Sequence, residues 1–230
     1  IRHQPRSRGL GDVYKRQVQS HLIYSYIRKQ AKKNKKKVLV FAEDVAASGG
    51  YWLACAADEI FVDQNSVVGS IGVISPGFGF VELINKIGVE RRVYTAGKNK
   101  NMLDPFQKEK PEDIKRLKDL QGDIYKIFTQ IVKYRRGDKL KVPDSKLFTG
   151  EFWTGQRALE LGLIDGIGEL TSVMQERYGD RVRFRPVVER KSWLKQRFAT
   201  WLPQQPRVEG WACDLIAAIE ERALWSRFGL

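Results

Sequence analysis

Residues 42–74 read AEDVAASGGYWLACAADEIFVDQNSVVGSIGVI, and this stretch decides the fold. It follows Val38–Phe41, a short apolar run rich in β-branched residues that is typical of a buried strand. Small residues surround Ser48 and then give way to Tyr51–Ala57, an apolar segment suited to a buried helix. The predicted order is therefore strand, tight small-residue turn and helix, an arrangement that can present a serine side chain at the turn.

The rest of the chain predicts alternating strands and helices. Apolar residues take helical spacing from Val18, and this helix should end in the lysine run that follows. Later strands are predicted at Ile60–Val62, at Val67–Ile74 with interruptions at Gly69 and Gly72, and at Arg92–Thr95. Later helices are predicted at Val81–Ile87, from Pro111 onward, at Thr154–Leu161 and at Leu170–Tyr178. This alternation predicts an α/β fold with a mostly parallel sheet and flanking helices.

The two ends of the chain differ from its middle. Residues 1–17 are polar, basic and without apolar periodicity, so we interpret them as a leader outside the native fold. Residues 18–187 form the predicted domain. Residues 188–230 interleave Trp and Phe with Lys and Arg, a pattern typical of a basic amphipathic helix. We expect this helical tail to rest on an anionic membrane or on a neighbouring subunit.

Composition indicates a folded globular protein with an excess of positive charge. Hydrophobic residues make up 42% of the chain, charged residues 30%, and the formal net charge is +14. The charge is concentrated in Arg28–Lys37, Lys133–Lys141 and Arg181–Arg197. These clusters can be solvated faces, or they can meet an anionic membrane, which we favour over nucleic acid as a partner. The sequence contains no apolar run long enough to span a bilayer, so a soluble or peripheral protein is expected.

Cysteine and histidine are scarce, which narrows the chemistry. Cys55 and Cys213 lie far apart without C-x-x-C spacing, so the sequence predicts no disulfide framework, no metal site and no cofactor. The histidines are His3, in the leader, and His21, on a polar shoulder of the first helix. A Ser-His-Asp triad is therefore not favoured.

Ser48 is the candidate nucleophile. A hydroxyl needs a nearby base and backbone N–H groups for the oxyanion, and the start of the following helix can supply such N–H groups. The alternative is a buried serine with a purely structural role in the turn. A serine-lysine pair is the remaining type of site, and the loop that contains Lys98 and Lys100 has no acidic residue before Asp104.

Three segments resemble peptidase family S49, the signal peptide peptidase and protease IV-like serine peptidases. They are the opening stretch at 42–74, YTAGKNKNMLDPF at 94–106 and FTGEFWTGQRALELGLIDGIG at 148–168. The resemblance covers about Val18 to Val173. It implies a ClpP/crotonase-like α/β spiral, and assembly of that fold into ring-like homo-oligomers.

The resemblance also implies roles for individual residues. Ser48 falls on the family's nucleophile, Lys100 on its general base with Lys98 as the second choice, and the Gly49 N–H on an oxyanion donor. Tyr51 and Ser70 are candidates for lining the site, although packing explains them equally well. The implied substrates are short or unfolded hydrophobic peptides, such as cleaved signal peptides. The implied location is at a membrane, or in the cytoplasm or periplasm of a bacterium-like cell.

Two alternatives and one reservation accompany this interpretation. A crotonase-like acyl-CoA enzyme would use two backbone N–H groups without a serine-lysine pair, and an inactive membrane-associated scaffold would share the fold. Relatives carry an Asn-Ser-Pro-Gly-Gly-type segment before the nucleophile, and a glycine N–H there is the second oxyanion donor. Residues 11–17 read GDVYKRQ instead. We therefore expect this chain, which also lacks the strands preceding that segment, to hydrolyse peptides poorly.

Overall fold

The computed structural model describes residues 10–187, with side chains from residue 17 onward. The described residues divide into two compact units between Val173 and Met174, within the last described helix. The predicted tail at 188–230 lies outside the described residues. The domain boundaries at residues 17 and 187 stay predictions.

Helices and strands alternate along the described chain. The helices are α1 (Leu10–Asn34), α2 (Gly49–Ala54), α3 (Val81–Lys86), α4 (Pro111–Arg136), α5 (Asp144–Leu147), α6 (Gly155–Leu161) and α7 (Leu170–Tyr178), with a 3-10 turn at Gly137–Lys139. The strands are β1 (Leu39–Ala42), β2 (Val45–Ala47), β3 (Glu59–Val62), β4 (Val67–Gly69), β5 (Phe152–Thr154) and β6 (Gly166–Ile167).

The strands form two small sheets. In the first, β3 lies between β1 and β6, and all three strands are parallel. In the second, β4 pairs parallel with β2 and antiparallel with β5. The predicted α/β class, with mostly parallel strands and flanking helices, is confirmed.

The core lies around α2, whose aromatic side chains are enclosed by the sheets and α4. The Tyr51 side chain is completely buried, and its hydroxyl donates a 2.7 Å hydrogen bond to the Leu163 carbonyl. The Trp52 ring stacks on Phe128 of α4 with ring centroids 4.7 Å apart. Burying such large side chains is the main source of stability here, because each contributes roughly 1.5–3 kcal/mol.

Two carboxylates hold separate segments of this core together. Asp58 accepts hydrogen bonds from the Val38 backbone N–H at 3.0 Å, from Arg28 at 2.9 Å and from Arg135 at 3.2 Å. Burial raises the pKa of Asp58, but these bonds outweigh it and hold the pKa below its ordinary value. Asp58 thereby ties α1, β1 and α4 to the start of β3.

The second carboxylate, Asp165, lies between α6 and β6. It accepts hydrogen bonds from the Ile60 backbone N–H at 2.8 Å, from Arg136 at 2.6 Å and from Lys139 at 2.7 Å. Burial raises the pKa of Asp165, and the arginine, lysine and backbone donors lower it further than burial raises it. The end of α4 is thus fixed against β3 and β6.

Helix α1 differs from its prediction at its start. It begins at Leu10, eight residues before Val18, and it ends in the lysine run as predicted. Of the apolar residues at helical spacing, Leu22, Ile23 and Tyr26 are exposed, and Ile27 is partly buried against the core. The side chains that α1 buries are mostly small or polar, because the helix lies close to the glycine-rich start of α2: Gln17, Ser20, Tyr24 and Ala31.

Two strand predictions were also incorrect. Residues 92–95 form no strand, and only Val93 among them is half-buried. The strand predicted at Val67–Ile74 ends at Gly69, because Gly69 and Ser70 both adopt positive φ and turn the chain out of the ladder.

Candidate active site

Ser48 occupies the turn between β2 and α2. Its backbone N–H donates to the Gly69 carbonyl at 2.8 Å, and its carbonyl accepts from the Trp52 N–H at 3.0 Å. Both partners belong to well-packed elements, β4 and α2. The backbone of Ser48 is therefore fixed by the sheet on one side and by the helix on the other.

The backbone conformation of Ser48 is strained. Its φ is 51° and its ψ is −120°, values that glycine normally supplies in a tight turn. A side chain in this region costs about 1–3 kcal/mol and persists only where the surrounding structure enforces it. Strained serines at strand-to-helix turns are the arrangement that lifts a nucleophile clear of its own backbone.

The hydroxyl of Ser48 has no structural task in the described part of the chain. It does not cap α2, although Ser48 is the N-cap residue of that helix. The side chain is half-buried. A serine that adopts a costly conformation, and whose hydroxyl bonds to none of the described residues, is available for chemistry.

Ser70 lies beside Ser48 at the same sheet edge. Ala47 and Gly69 are register partners in parallel strands, so the next residue of each strand is a serine. Ser70 also has a φ of 51°, and its N–H donates to the Glu151 carbonyl at 2.7 Å. The carboxyl ends of parallel strands are where α/β proteins commonly bind ligands.

Gly49 begins α2, and its N–H is among the helix-terminal donors that have no acceptor within the helix. An added Cβ at Gly49 would lie 2.8 Å from the Ser20 hydroxyl oxygen of α1. Close packing of α1 against α2 is therefore an independent reason for glycine at this position. Tyr51, by contrast, lies wholly within the core, as the packing alternative for it expected.

Lys98 and Lys100 lie apart from the Ser48 turn, in residues 80–106, which we call the lysine segment. Both lysines are exposed, and neither side chain forms a hydrogen bond or ion pair with any described residue, although the Lys100 backbone N–H donates to the Gly97 carbonyl at 3.1 Å. The two ends of the segment are joined by a hydrogen bond from the Phe80 N–H to the Pro105 carbonyl at 2.6 Å. Within a single chain, the structure does not bring either lysine into contact with Ser48.

Asp104 is the only buried residue of the lysine segment. It accepts hydrogen bonds from Arg91 at 2.9 Å, from Asn101 at 3.0 Å and from the Phe106 N–H at 3.1 Å. Burial raises the pKa of Asp104, and these donors more than reverse the effect, so its pKa lies below the ordinary value. This cluster holds the stretch that follows Lys100.

His21 was predicted to have a surface role, and the structure adds a packing contact. Its ring meets Trp52 edge to face with centroids 5.8 Å apart, and it stacks near Tyr24 at 6.3 Å. It makes no hydrogen bond to Ser48. Its neighbour Ser20 approaches the start of α2, a contact that helical periodicity alone does not reveal.

An open cleft of about 270 Å³ lies near the serine turns. Its lining is mixed, with backbone, amide and aromatic groups from three segments: Gly72, Val73, Gln121, Gly122, Tyr125, Phe148 and Thr149. Gly72 donates its N–H to the Ser70 carbonyl at 3.0 Å, which connects the cleft to the Ser48 edge. The sequence did not predict these lining residues, because Gly122 and Tyr125 lie on α4, far along the chain from Ser70.

Other kinds of site find little support in residues 10–187. No three His, Cys, Asp or Glu side chains in this range group as metal ligands would. Burial raises the pKa of the Cys55 thiol to about 12, so this cysteine is chemically inert. None of the helices in the same range combines the length and apolar character that crossing a bilayer requires.

Comparison with known proteins gives a family match over most of the chain. The family model described as "Peptidase family S49" matches residues 30–180. A putative signal peptide peptidase SppA from Enterococcus faecium is 33% identical over 172 residues, which is 69% of this chain and 48% of that protein. The chloroplastic serine protease SPPA of Arabidopsis thaliana is also 33% identical, over 59% of this chain and 20% of its own length.

A further relative bears a different kind of name. A Brucella melitensis protein named Na(+)/H(+) antiporter NhaA is 50% identical over 220 residues, 93% of this chain but 30% of that protein. The chain thus spans less than half the length of each of these three relatives. Among solved structures, an enoyl-CoA hydratase/isomerase family member aligns with 67% of the chain and 39% of its own at 18% identity, with a TM-score of 0.27, too low to support an argument.

Proposed function

Because the chain belongs to peptidase family S49, a family of serine-type peptidases, we propose that it is the catalytic part of a serine endopeptidase. Ser48 is the nucleophile and Lys100 its general base. The Ser48 turn is the observation that carries the proposal. The Ser48 backbone is strained, and its hydroxyl bonds to none of the described residues. A catalytic role explains both features, whereas a structural role explains neither.

In the proposed reaction, the Ser48 hydroxyl attacks a peptide carbonyl while the Lys100 amine takes its proton. The resulting oxyanion is held by backbone N–H groups, with Gly49 as the donor in this chain. The protonated lysine then returns the proton to the leaving amine, and water releases the acyl group from Ser48. Arginine cannot replace Lys100, because a guanidinium does not deprotonate near neutral pH.

Lys100 reaches Ser48, we propose, when copies of the chain assemble. Within one chain the two residues are not in contact, and the lysine segment exposes apolar side chains that an assembly would cover: Leu83, Ile87, Val89 and Tyr94. Lys100 of one copy then serves Ser48 of its neighbour. This is the homo-oligomer expected from the family resemblance, now with a catalytic reason.

The proposed substrates are short or unfolded hydrophobic peptides. The cleft that continues from Ser70 supports this choice, since it offers Val73, Tyr125 and Phe148 to an apolar side chain. A Cβ at Gly122 would meet no atom within 4 Å, so this helical position leaves the cleft open. Gly122→Val should reduce cleavage after large apolar residues more than cleavage after alanine.

The proposal is tested with single variants and their mixture. Ser48→Ala, Lys100→Ala and Lys100→Arg should each lose at least about 100-fold in peptide hydrolysis, whereas Lys98→Ala and His21→Gln should stay near wild type. Mixing the inactive Ser48→Ala and Lys100→Ala proteins should restore part of the activity if the dyad forms between copies. No recovery would contradict a dyad formed between copies, and an active Lys100→Ala protein would reject Lys100 as the base.

Each assay is run on the chain as given and on a version with an Asn-Ser-Pro-Gly-Gly-type segment in place of residues 11–17. This second protein allows Ser48 to be tested even if the first is slow. Covalent labelling of Ser48 by a peptidyl phosphonate separates the peptidase from the two alternatives. Neither an acyl-CoA enzyme that uses only backbone N–H groups nor an inactive scaffold would be labelled there.

A further inference from the structure

Helix α1 buries an unusual face. The side chains that it turns toward α2 and the core include Gln17, Ser20, Tyr24 and Ala31. A helix on the surface of a globular protein normally buries its most apolar stripe and exposes its polar one. In α1, Tyr24 and Ile27 pack against the core, yet Val18, Leu22, Ile23 and Tyr26 are exposed, so the outward face needs its own explanation.

The outward face of α1 is apolar along its middle turns. Val18, Leu22 and Tyr26 follow one another at intervals of four residues, and Ile23 lies beside them. Their exposed fractions are 37%, 54%, 64% and 46% in the order Val18, Leu22, Tyr26, Ile23. At the helical repeat of 100° per residue, Lys29 and Lys33 continue the same line toward the end of the helix.

The lysines that adjoin this apolar line have no carboxylate partner among the described residues. Five are exposed and unpaired there: Lys29, Lys32, Lys33, Lys35 and Lys36. Lys37 differs, since it pairs with Glu59 at 3.1 Å. The outward face therefore combines apolar side chains with a dense, uncompensated positive charge.

We propose that this face of α1 binds the surface of an anionic lipid bilayer. The apolar side chains of Val18, Leu22 and Tyr26 enter the boundary between headgroups and acyl chains, and the lysines meet the anionic headgroups. Amphipathic helices with this composition lie in the plane of the membrane interface. Each lysine near an anionic leaflet adds to the binding, and the effect is screened by salt.

Two other occupants fit the face less well. A nucleic acid would satisfy the lysines through its phosphates but would leave Leu22 and Tyr26 in water or against a charged backbone. A second copy that used the same face would bring two lysine clusters together, which is unfavourable. Only a surface that is both anionic and apolar matches the two halves of the pattern.

The test is co-sedimentation of the full chain with vesicles of phosphatidylcholine alone or mixed with phosphatidylglycerol. One variant removes charge (Lys29→Gln, Lys32→Gln and Lys33→Gln together), and the other removes apolar surface (Leu22→Ser with Tyr26→Ser). Both should weaken binding to the anionic vesicles at least about tenfold. The matched controls are both on α4, Lys115→Gln with Lys118→Gln and Lys126→Gln for charge and Ile127→Ser with Tyr134→Ser for apolar surface, and both should bind like wild type.

A second measurement reports the position of α1 directly. In a Cys213→Ser background, Cys55 stays unreactive because it is buried, so a polarity-sensitive dye can be attached at Tyr26→Cys or, as a control, at Tyr134→Cys. Anionic vesicles should shift the emission of the dye at position 26 to the blue and leave the dye at position 134 unchanged. The proposal fails if both α1 variants bind like wild type, or if the dye at 26 does not respond. It also fails if the face binds RNA or a second copy in preference to vesicles.

Discussion

The Ser48 turn and the lysine segment hold the two halves of the proposed dyad in opposite ways. Ser48 is fixed by hydrogen bonds to β4 and α2, and nearby Ala46 and Tyr51 belong to the main core. Lys100 lies on a segment of which Asp104 alone is buried. The comparison indicates that the fold fixes the position of the proposed nucleophile, whereas the position of the proposed base depends on a locally held, exposed segment.

In each region a carboxylate accepts hydrogen bonds from three donors, so the two regions can be compared through the exposure of the arginine partner. Asp165 supports the core beside α2, and its partner Arg136 has a side chain only 3% exposed. Asp104 supports the lysine segment, and its partner Arg91 is 39% exposed. Removing either carboxylate leaves an arginine without its ion-pair partner, but only Arg136 is then buried away from water.

The largest effect is expected for Asp165→Ala. This change leaves Arg136 buried without its counter-charge and should lower the free energy of unfolding by about 3–5 kcal/mol. The measurement is denaturant unfolding followed by circular dichroism. Asp144→Ala is the control, because the Lys133–Asp144 pair is exposed on both sides and should contribute less than about 1 kcal/mol.

Acid pH should weaken the core by the same route. The folded-state pKa values of Asp58 and Asp165 lie below their unfolded values, so both contribute stability above the unfolded pKa of about 3.9 and lose it as pH falls through the folded pKa. The melting temperature should therefore drop as pH falls below about 4. Asp165→Asn should show a shallower drop, and an equally steep one would contradict the assignment.

A smaller effect of opposite sign is expected at Ser48. Ser48→Gly removes the Cβ from a positive-φ position and should raise the free energy of unfolding by about 1 kcal/mol. Ser48→Ala keeps the Cβ and should leave thermal stability unchanged. If Ser48→Gly gives no gain, the backbone at residue 48 is not strained in solution.

The smallest effect on global stability is expected for Asp104→Ala. Arg91 can be solvated when its partner is lost, so the free energy of unfolding should fall by about 1 kcal/mol or less. Amide hydrogen exchange in residues 97–106 should nevertheless become much faster, and peptidase activity should fall with it. A global loss as large as that of Asp165→Ala would show that the two regions are not independent.

The sequence predicted the elements near Ser48 well, because local patterns determine them. Strand β1 and helix α2 lie close to the predicted Val38–Phe41 and Tyr51–Ala57, and α4 begins at Pro111 as predicted. Three strands, β2, β5 and β6, were not predicted because each is only two or three residues long, and β2 had been assigned to the turn. β5 also depends on packing against a residue distant in sequence, because Gly69 lacks the Cβ that would clash with Trp153.

The errors share a physical cause, which is tertiary context. Arg92–Thr95 has residues suited to a strand, but no partner strand pairs with it, and the chain nearby is held by the Arg91–Asp104 contact instead. Helical periodicity could not reveal the inward face of α1, because the close approach to Gly49 favours Ser20 over a large apolar side chain. The roles of Ser48 and Lys100 came from residue chemistry and family resemblance, and their separation within one chain could not be read from spacing.

Asp58 has a consequence for the order of folding. The donors that meet at its carboxylate, on Val38, Arg28 and Arg135, lie 20, 30 and 77 residues away along the chain. Contacts of such long range form only after the loops between them have closed, so the cluster should assemble after the rate-limiting barrier. The hydrogen bonds of Asp58 should therefore slow unfolding. Asp58→Ala should speed unfolding and leave the refolding rate nearly unchanged.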